Sequence, residues 1–207
     1  MARTVDPEKY AAKRRHILNS AAILFAEQGY ERTTTDQLCA AAGVSPGSLY
    51  HYFRGKKKVF LAVLTDDEQD TAALLQKVAD HPDPLEGLLE FVAHLAQPAS
   101  AHPVVPKLVL EAVLQAHRDE QIASELGRID QQESQGLRLL LERAMDAGAA
   151  DPALVPDQSA SWIGALVNAL YLQAALHPQL DAAEQTQHLI RTVRAYLSPP
   201  APNTSAP

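Results

Sequence analysis

Between Pro46 and Lys58 the chain reads PGSLYHYFRGKKK. Small residues, Gly47 and Ser48, come first; two phenols and an imidazole follow at Tyr50, Tyr52 and His51; three ammonium groups close the stretch at Lys56, Lys57 and Lys58. Hydroxyls and imidazole can donate to phosphate oxygens or meet base edges, and lysines neutralise phosphate. This is the chemistry of nucleic-acid recognition. Other chemistry finds less support. Glu90/His94 and Glu184/His188 are each spaced i, i+4, but no third ligand lies near either in sequence. No HExxH and no glycine-rich phosphate loop occurs, and no GxSxG nucleophile elbow stands out. No enzyme, metal or cofactor is expected.

The residues around this stretch can hold it in place. Thr34 has the spacing of a capping box with Gln37. Leu38, Ala41 and Ala42 then form one apolar face at helical spacing. Gly43 tolerates a left-handed turn, Val44 can plug the corner, and Ser45-Pro46 is a helix-start signal. In the second helix, Leu49 and Phe53 face inward. Pro46, Gly47, Ser48, Tyr50, His51 and Tyr52 are left outward. Helix, short turn with Gly, helix is the helix-turn-helix pattern. A helix of about 12 Å fits a major groove of about 12 Å. Thr34, Tyr50, Tyr52 and Lys56 are the phosphate candidates; Gly47, Ser48 and His51 are the base-edge candidates.

These residues resemble the DNA-binding signature of the tetracycline-repressor (TetR) family of bacterial regulators. The motifs are Ala42-Gly43-Val44-Ser45, Gly47-Ser48-Leu49-Tyr50, Tyr52-Phe53 and Lys56, in that order. The resemblance starts near Arg14 and fades after about Leu64. Cys39 stands where the family most often has Ala, and Lys57-Lys58 replace a usually acidic pair. The resemblance implies a dimer, a ligand cavity among the following helices, and a hinge near Gly55.

The net charge of −7 opposes nucleic acid only on average. Residues 1–58 hold ten Lys and Arg against five acids, a net of +5; the remaining eight bases and twenty acids give −12. A basic head on an acidic body suits a modular DNA binder. The single Cys39 excludes an internal disulfide and fits a reducing cytoplasm. As a lone Cys on the buried side of a helix it reads as a small core residue. No run of eighteen apolar residues and no signal-peptide core is present, so neither a membrane span nor export is expected.

The rest of the chain reads as helices without strands. Residues 1–8 read as frayed, with Arg3 among them. Lys9 to Gln28 carries an apolar stripe at Ile17, Ala21, Leu24 and Phe25 and a basic side at Lys13, Arg14 and Arg15. Lys56 to about Ala79 reads as one long helix joining head and body, a lever that a ligand could tilt. Helices are expected over 84–97, 107–117, 119–147, 156–177 and 182–197, with a Pro-rich connection over 98–106. In 156–177, Trp162, Ile163, Leu166 and Leu170 form one apolar face; Ala160, Gly164, Val167, Tyr171 and Ala174 form another. Ala160, Gly164, Val167 and Tyr171, with Leu189 and Val193, are the candidate contacts to a second copy. Isolated polar or aromatic groups, His94, Glu111, Gln115, Trp162 and Asn168, are the candidate lining of a small-molecule pocket.

The expected architecture is all-α: a three-helix helix-turn-helix domain over 1–55, a helical ligand-binding and dimerisation domain over 56–197, and a disordered tail over 198–207. The expected function is a homodimeric, cytoplasmic transcriptional regulator, a repressor released from a palindromic double-stranded operator by a small molecule. An activator or ligand-independent regulator shares every feature. A helical small-molecule-binding or scaffold protein, whose basic head docks an acidic partner, is the rival of another class.

Overall fold

The computed structural model describes residues 6–101, 104–177 and 179–199. Residues 1–5, including Arg3, and 200–207, most of the expected tail, lie outside the described residues. The described residues form ten helices and no strand.

Helix α1 spans Pro7–Gln28, α2 Thr35–Ala42 and α3 Pro46–Tyr52. The first begins two residues before the sequence reading placed it. Asp6 caps it, its Oδ1 accepting from the Glu8 and Lys9 amides, and Pro7 occupies the first turn, where its missing N–H costs nothing. The capping box of α2 is complete: Thr34 Oγ1 accepts from Gln37 N at 3.2 Å, and Gln37 Oε1 accepts from Thr34 N at 2.8 Å. Gly43 closes α2 in the left-handed region, φ 57°. Leu38, Cys39 and Ala42 are its buried residues, whereas Ala41, read as apolar face, is exposed. One step along a helix turns a side chain by roughly 100°, so the buried arc passes through Cys39 instead. Burial pushes the Cys39 thiol above its ordinary pKa, as a core residue requires.

The long helix expected over 56–79 is two: α4, Lys56–Leu64, and α5, Glu68–Ala79. Thr65, Asp66 and Asp67 part them. These side chains compete for backbone and neighbouring partners. Thr65 Oγ1 donates to Leu61 O, and Asp66 takes the Arg14 guanidinium at 3.1 Å. Helix α6, Pro84–Ala101, conversely runs through Pro98, which had been read as the start of a connection. Pro98 falls in the last turn of the helix. The later helices are α7 Val105–Ala116, α8 Glu120–Asp146, α9 Pro156–Leu176 and α10 Ala182–Leu197. Asp119 and Asp181 cap α8 and α10.

The chain divides into two compact units. The first takes residues 1–67 and 104–126, so it reaches beyond residue 55 and recruits α7 with the start of α8. The reason is its core: Leu108, Ala112 and Ile122 are buried in one cluster with Ile17, Leu18, Phe25, Leu38, Leu49 and Phe60. The second unit takes 68–103 and 127–207. Its core joins Val78, Leu88, Phe91 and Val92 to Leu137, Leu140, Leu141, Ile163, Val193 and Leu197.

Within the second unit α9 packs on α6 and α10. Its buried line is Ala160, Ile163, Val167 and Leu170, which mixes the two faces read from sequence. Helix α9 is also long and apolar enough to cross a membrane by length and composition, at mean hydropathy 1.2, contrary to the expectation from run length alone. Its buried line makes it a core helix of this unit.

Candidate nucleic-acid interface

Helix α3 presents what its spacing predicts. Leu49 and Phe53 are buried, and Pro46, Gly47, Tyr50 and His51 are exposed, Tyr50 at 63 %. Ser45 Oγ accepts from Ser48 N at 3.2 Å, fixing the start of the helix and leaving Ser48 half-buried. Thr34, exposed at the start of α2, keeps its hydroxyl hydrogen available while its oxygen caps the helix.

Tyr52 departs from the outward reading. It is half-buried, its ring 4.6 Å from that of Tyr10 on α1. An aromatic ring near a helix end covers itself when another is in reach.

The cations also sort differently from the sequence reading. Lys56 Nζ donates to Tyr30 O at 2.8 Å and to Glu31 O at 3.4 Å, and stands 4.2 Å from the Tyr30 ring centroid. Two of its three N–H donors are therefore engaged within the chain. Lys57 forms an ion pair with Asp119. That hydrogen bond raises the Lys57 pKa and lowers that of Asp119. Arg14 pairs with Asp66 and lies over the Phe53 ring at 5.6 Å. Arg54 and Lys58, exposed at the far end of α3 and the start of α4, show no ion pair among the described residues. They are open cations near the end of α3. In the sequence, one arginine before a lysine run carries no signal of its own.

Beneath this surface the turn at Gly29-Tyr30 is held from two sides. Glu111 Oε1, on α7, accepts from Tyr30 N at 2.8 Å and from Gln115 Nε2 at 2.9 Å. Lys56 takes the carbonyl of the same Tyr30. Burial pushes the Tyr30 phenol above its ordinary pKa. Glu111 and Gln115, read as pocket lining, are thus structural groups of the first unit. The other pocket candidates belong to the second unit. His94, in the second unit, hydrogen-bonds Thr71 Oγ1 at 2.9 Å. Trp162 is 56 % exposed and Asn168 is exposed. Helical spacing specifies a face but not which element covers it. Among the described residues no three His, Cys, Asp or Glu side chains gather as a metal site.

The six residues expected to meet a second copy divide between buried and half-buried positions. Ala160, Val167, Leu189 and Val193 lie inside their own unit. Gly164 and Tyr171 are half-buried, and Tyr171 Oη donates to Leu95 O at 2.8 Å. The outward side of α9 is instead Trp162, Ala165, Ala169, Leu172 and Leu176, all exposed and on one helical stripe.

Residues 17–63 match the family described as bacterial regulatory proteins, tetR family, and residues 84–198 match the BetI-type transcriptional repressor C-terminal family. An HTH-type transcriptional repressor of Mycobacterium tuberculosis is 38 % identical over 73 residues, 35 % of this chain and 39 % of that protein. The regulator UidR of Escherichia coli K12 is 26 % identical over 113 residues, 55 % of this chain and 56 % of UidR. The chain thus spans about 39–56 % of the length of these curated relatives. Both relatives are named as regulators of transcription, not as enzymes. The SmeT–triclosan complex shares the fold at TM-score 0.76 and 22 % identity, covering 95 % of this chain and 98 % of that one.

Proposed function

The chain belongs to the TetR family of bacterial regulators, and from that premise we propose that it is a homodimeric, DNA-binding repressor of transcription whose grip on a palindromic operator is loosened by a small molecule. The observation that carries this is the α3 face, with Gly47, Tyr50 and His51 exposed and Ser48 half-buried, capped at one end by Ser45 and flanked at the other by Arg54 and Lys58. Gly47, Ser48 and His51 read bases; Thr34, Tyr50, Arg54 and Lys58 hold phosphates. Lys56 supports the turn below them and offers its third N–H to the backbone of the duplex.

The test separates these roles. His51→Ala is expected to reduce discrimination between operator and mutated duplex by about 1–3 kcal/mol, with little change in affinity for random duplex. Lys58→Ala is expected to weaken all duplexes alike and to reduce the slope of log K against log salt by about 1. Titrations at several salt concentrations would overturn the assignment if the two patterns were exchanged.

The second copy is placed on the outward α9 stripe. A self-complementary apolar stripe on one helix suits an isologous two-fold interface. Leu172→Arg is expected to give a monomer in sedimentation while helix content is retained. A dimer that survives this change would move the interface elsewhere.

Helix α8 takes the transmitting role expected of residues 56–79. Its residues 120–126 belong to the first unit and 127–146 to the second. Coupling of about 1–3 kcal/mol would change operator affinity by roughly 5–150-fold. A small molecule that binds tightly yet leaves operator affinity unchanged in a shift assay would refute the regulatory part.

A further inference from the structure

We propose that Tyr10 is a positioning residue for base recognition, a clamp on the end of α3 that carries His51. The inference rests on the DNA-binding reading and assigns a role that neither the sequence motifs nor the α3 face supplies.

The geometry is a mutual contact of three rings. Tyr10 lies 4.6 Å from Tyr52 with planes tilted by 33°, and 6.0 Å from His51 edge-on at 82°. His51 and Tyr52 meet edge-on at 5.4 Å. Offset and edge-to-face contacts at such distances are the favoured aromatic arrangements.

The clamp matters because α3 is short. Seven residues make a helix that is marginal without tertiary support. Its first turn has the Ser45 cap, and its middle has the buried Leu49. After Tyr52 the chain leaves the helix, with Phe53 in extended geometry at φ −141°. His51 therefore sits exposed in the last turn, one residue from the helix end, where Phe53 N donates to Leu49 O at 2.8 Å. The Tyr10 ring limits where imidazole and phenol can swing. A side chain held in place before binding loses less conformational freedom on meeting a base.

The start of α1 makes this reach available. Asp6 caps α1 and Pro7 opens it, so Tyr10 belongs to the first turn, its amide bonded to Asp6 O at 3.0 Å. A helix starting at Lys9 would leave this ring in its fraying end.

The experiment uses the full chain. Duplexes are enriched from a random pool by the wild-type protein, and Kd is then measured for the enriched duplex and for random-sequence duplex at one salt concentration. In Tyr10→Ala the preference for enriched over random duplex is expected to fall about 3–10-fold, the size of a lost aromatic contact. Affinity for random duplex is expected to hold, and Tyr10→Phe is expected to keep the preference. Tyr10→Leu, which fills the space without an aromatic face, is the second variant should Tyr10→Ala lose its fold, and the same loss is expected. Three results overturn the proposal: an unchanged preference in the Ala and Leu variants, an equal loss on both duplexes, or a Phe variant as impaired as Ala. The second would make Tyr10 a support of the whole head, and the third would give the role to its hydroxyl. If the wild-type chain enriches no duplex, the DNA reading itself fails and this inference falls with it.

Discussion

Phe60→Ala is expected to lower the stability of the first unit by about 3–5 kcal/mol, the range for emptying a large aromatic from a closed core. Phe60 is fully buried. It meets Phe25 edge-on at 4.9 Å and 80°, and Tyr30 at 4.9 Å and 53°. It thus ties α4 to α1 and to the turn that follows α1. Proteins hold only about 5–15 kcal/mol of net stability, so much of the head's margin would go. Phe60→Leu retains most of the volume and is expected to cost well under half as much. The single tryptophan, Trp162, belongs to the second unit. Trp162 fluorescence therefore follows that unit, and amide exchange across α1 to α3 follows the head. A loss below about 1 kcal/mol for the Ala variant, against the range for aromatic truncation, would show that the head does not depend on this cluster.

Glu111→Ala is expected to cost about 2–4 kcal/mol, because it orphans two donors at once, each worth about 1–3 kcal/mol when left unpaired in a protein interior. The donors are the Tyr30 amide and Gln115 Nε2, and Tyr30 and Gln115 are both buried. Both bonds end on the same oxygen, so Glu111→Gln can keep them with its amide oxygen. It is expected to lose only the extra strength of a charged acceptor. Equal losses for the Ala and Gln variants in denaturant unfolding would show that charge, not hydrogen bonding, is what Glu111 supplies. The side chain also explains Gly29. A Cβ there, at φ +82°, would stand 3.4 Å from the Glu111 carboxylate in a backbone region that side chains rarely adopt. The turn and the carboxylate fit each other. Loosening the turn also frees the carbonyl that holds Lys56, so operator affinity is expected to fall together with stability in the Ala variant.

Glu111 also shows where reading the chain alone stops. Glu111 and Gln115 were legible as isolated polar groups on an apolar helix, candidates for a pocket that the family resemblance implied. The partner is a backbone amide 81 residues away, and no spacing rule reaches that far. The α9 faces went the same way. Period 3.6 identifies apolar arcs, but α9 is apolar nearly all round, and only its packing on α6 and α10 selects Ala160, Ile163, Val167 and Leu170 for the core. Gly87 gave no signal at all: a Cβ there would lie 2.9 Å from Val78 O, a contact made only when α5 meets α6.

By itself the sequence determined the local geometry of the reading head. The Thr34–Gln37 box, the left-handed Gly43 and the Ser45-Pro46 start were all legible, because caps and turns depend on groups within four residues of one another. The charge division was equally plain, since it needs no coordinates. Only the tertiary structure decided which cations remain open, which aromatic rings meet and which unit claims α7. Those outcomes turn on which distant groups compete for the same partner, Lys57 with Asp119, Lys56 with Tyr30 and Tyr10 with Tyr52, and that competition is settled when the helices pack.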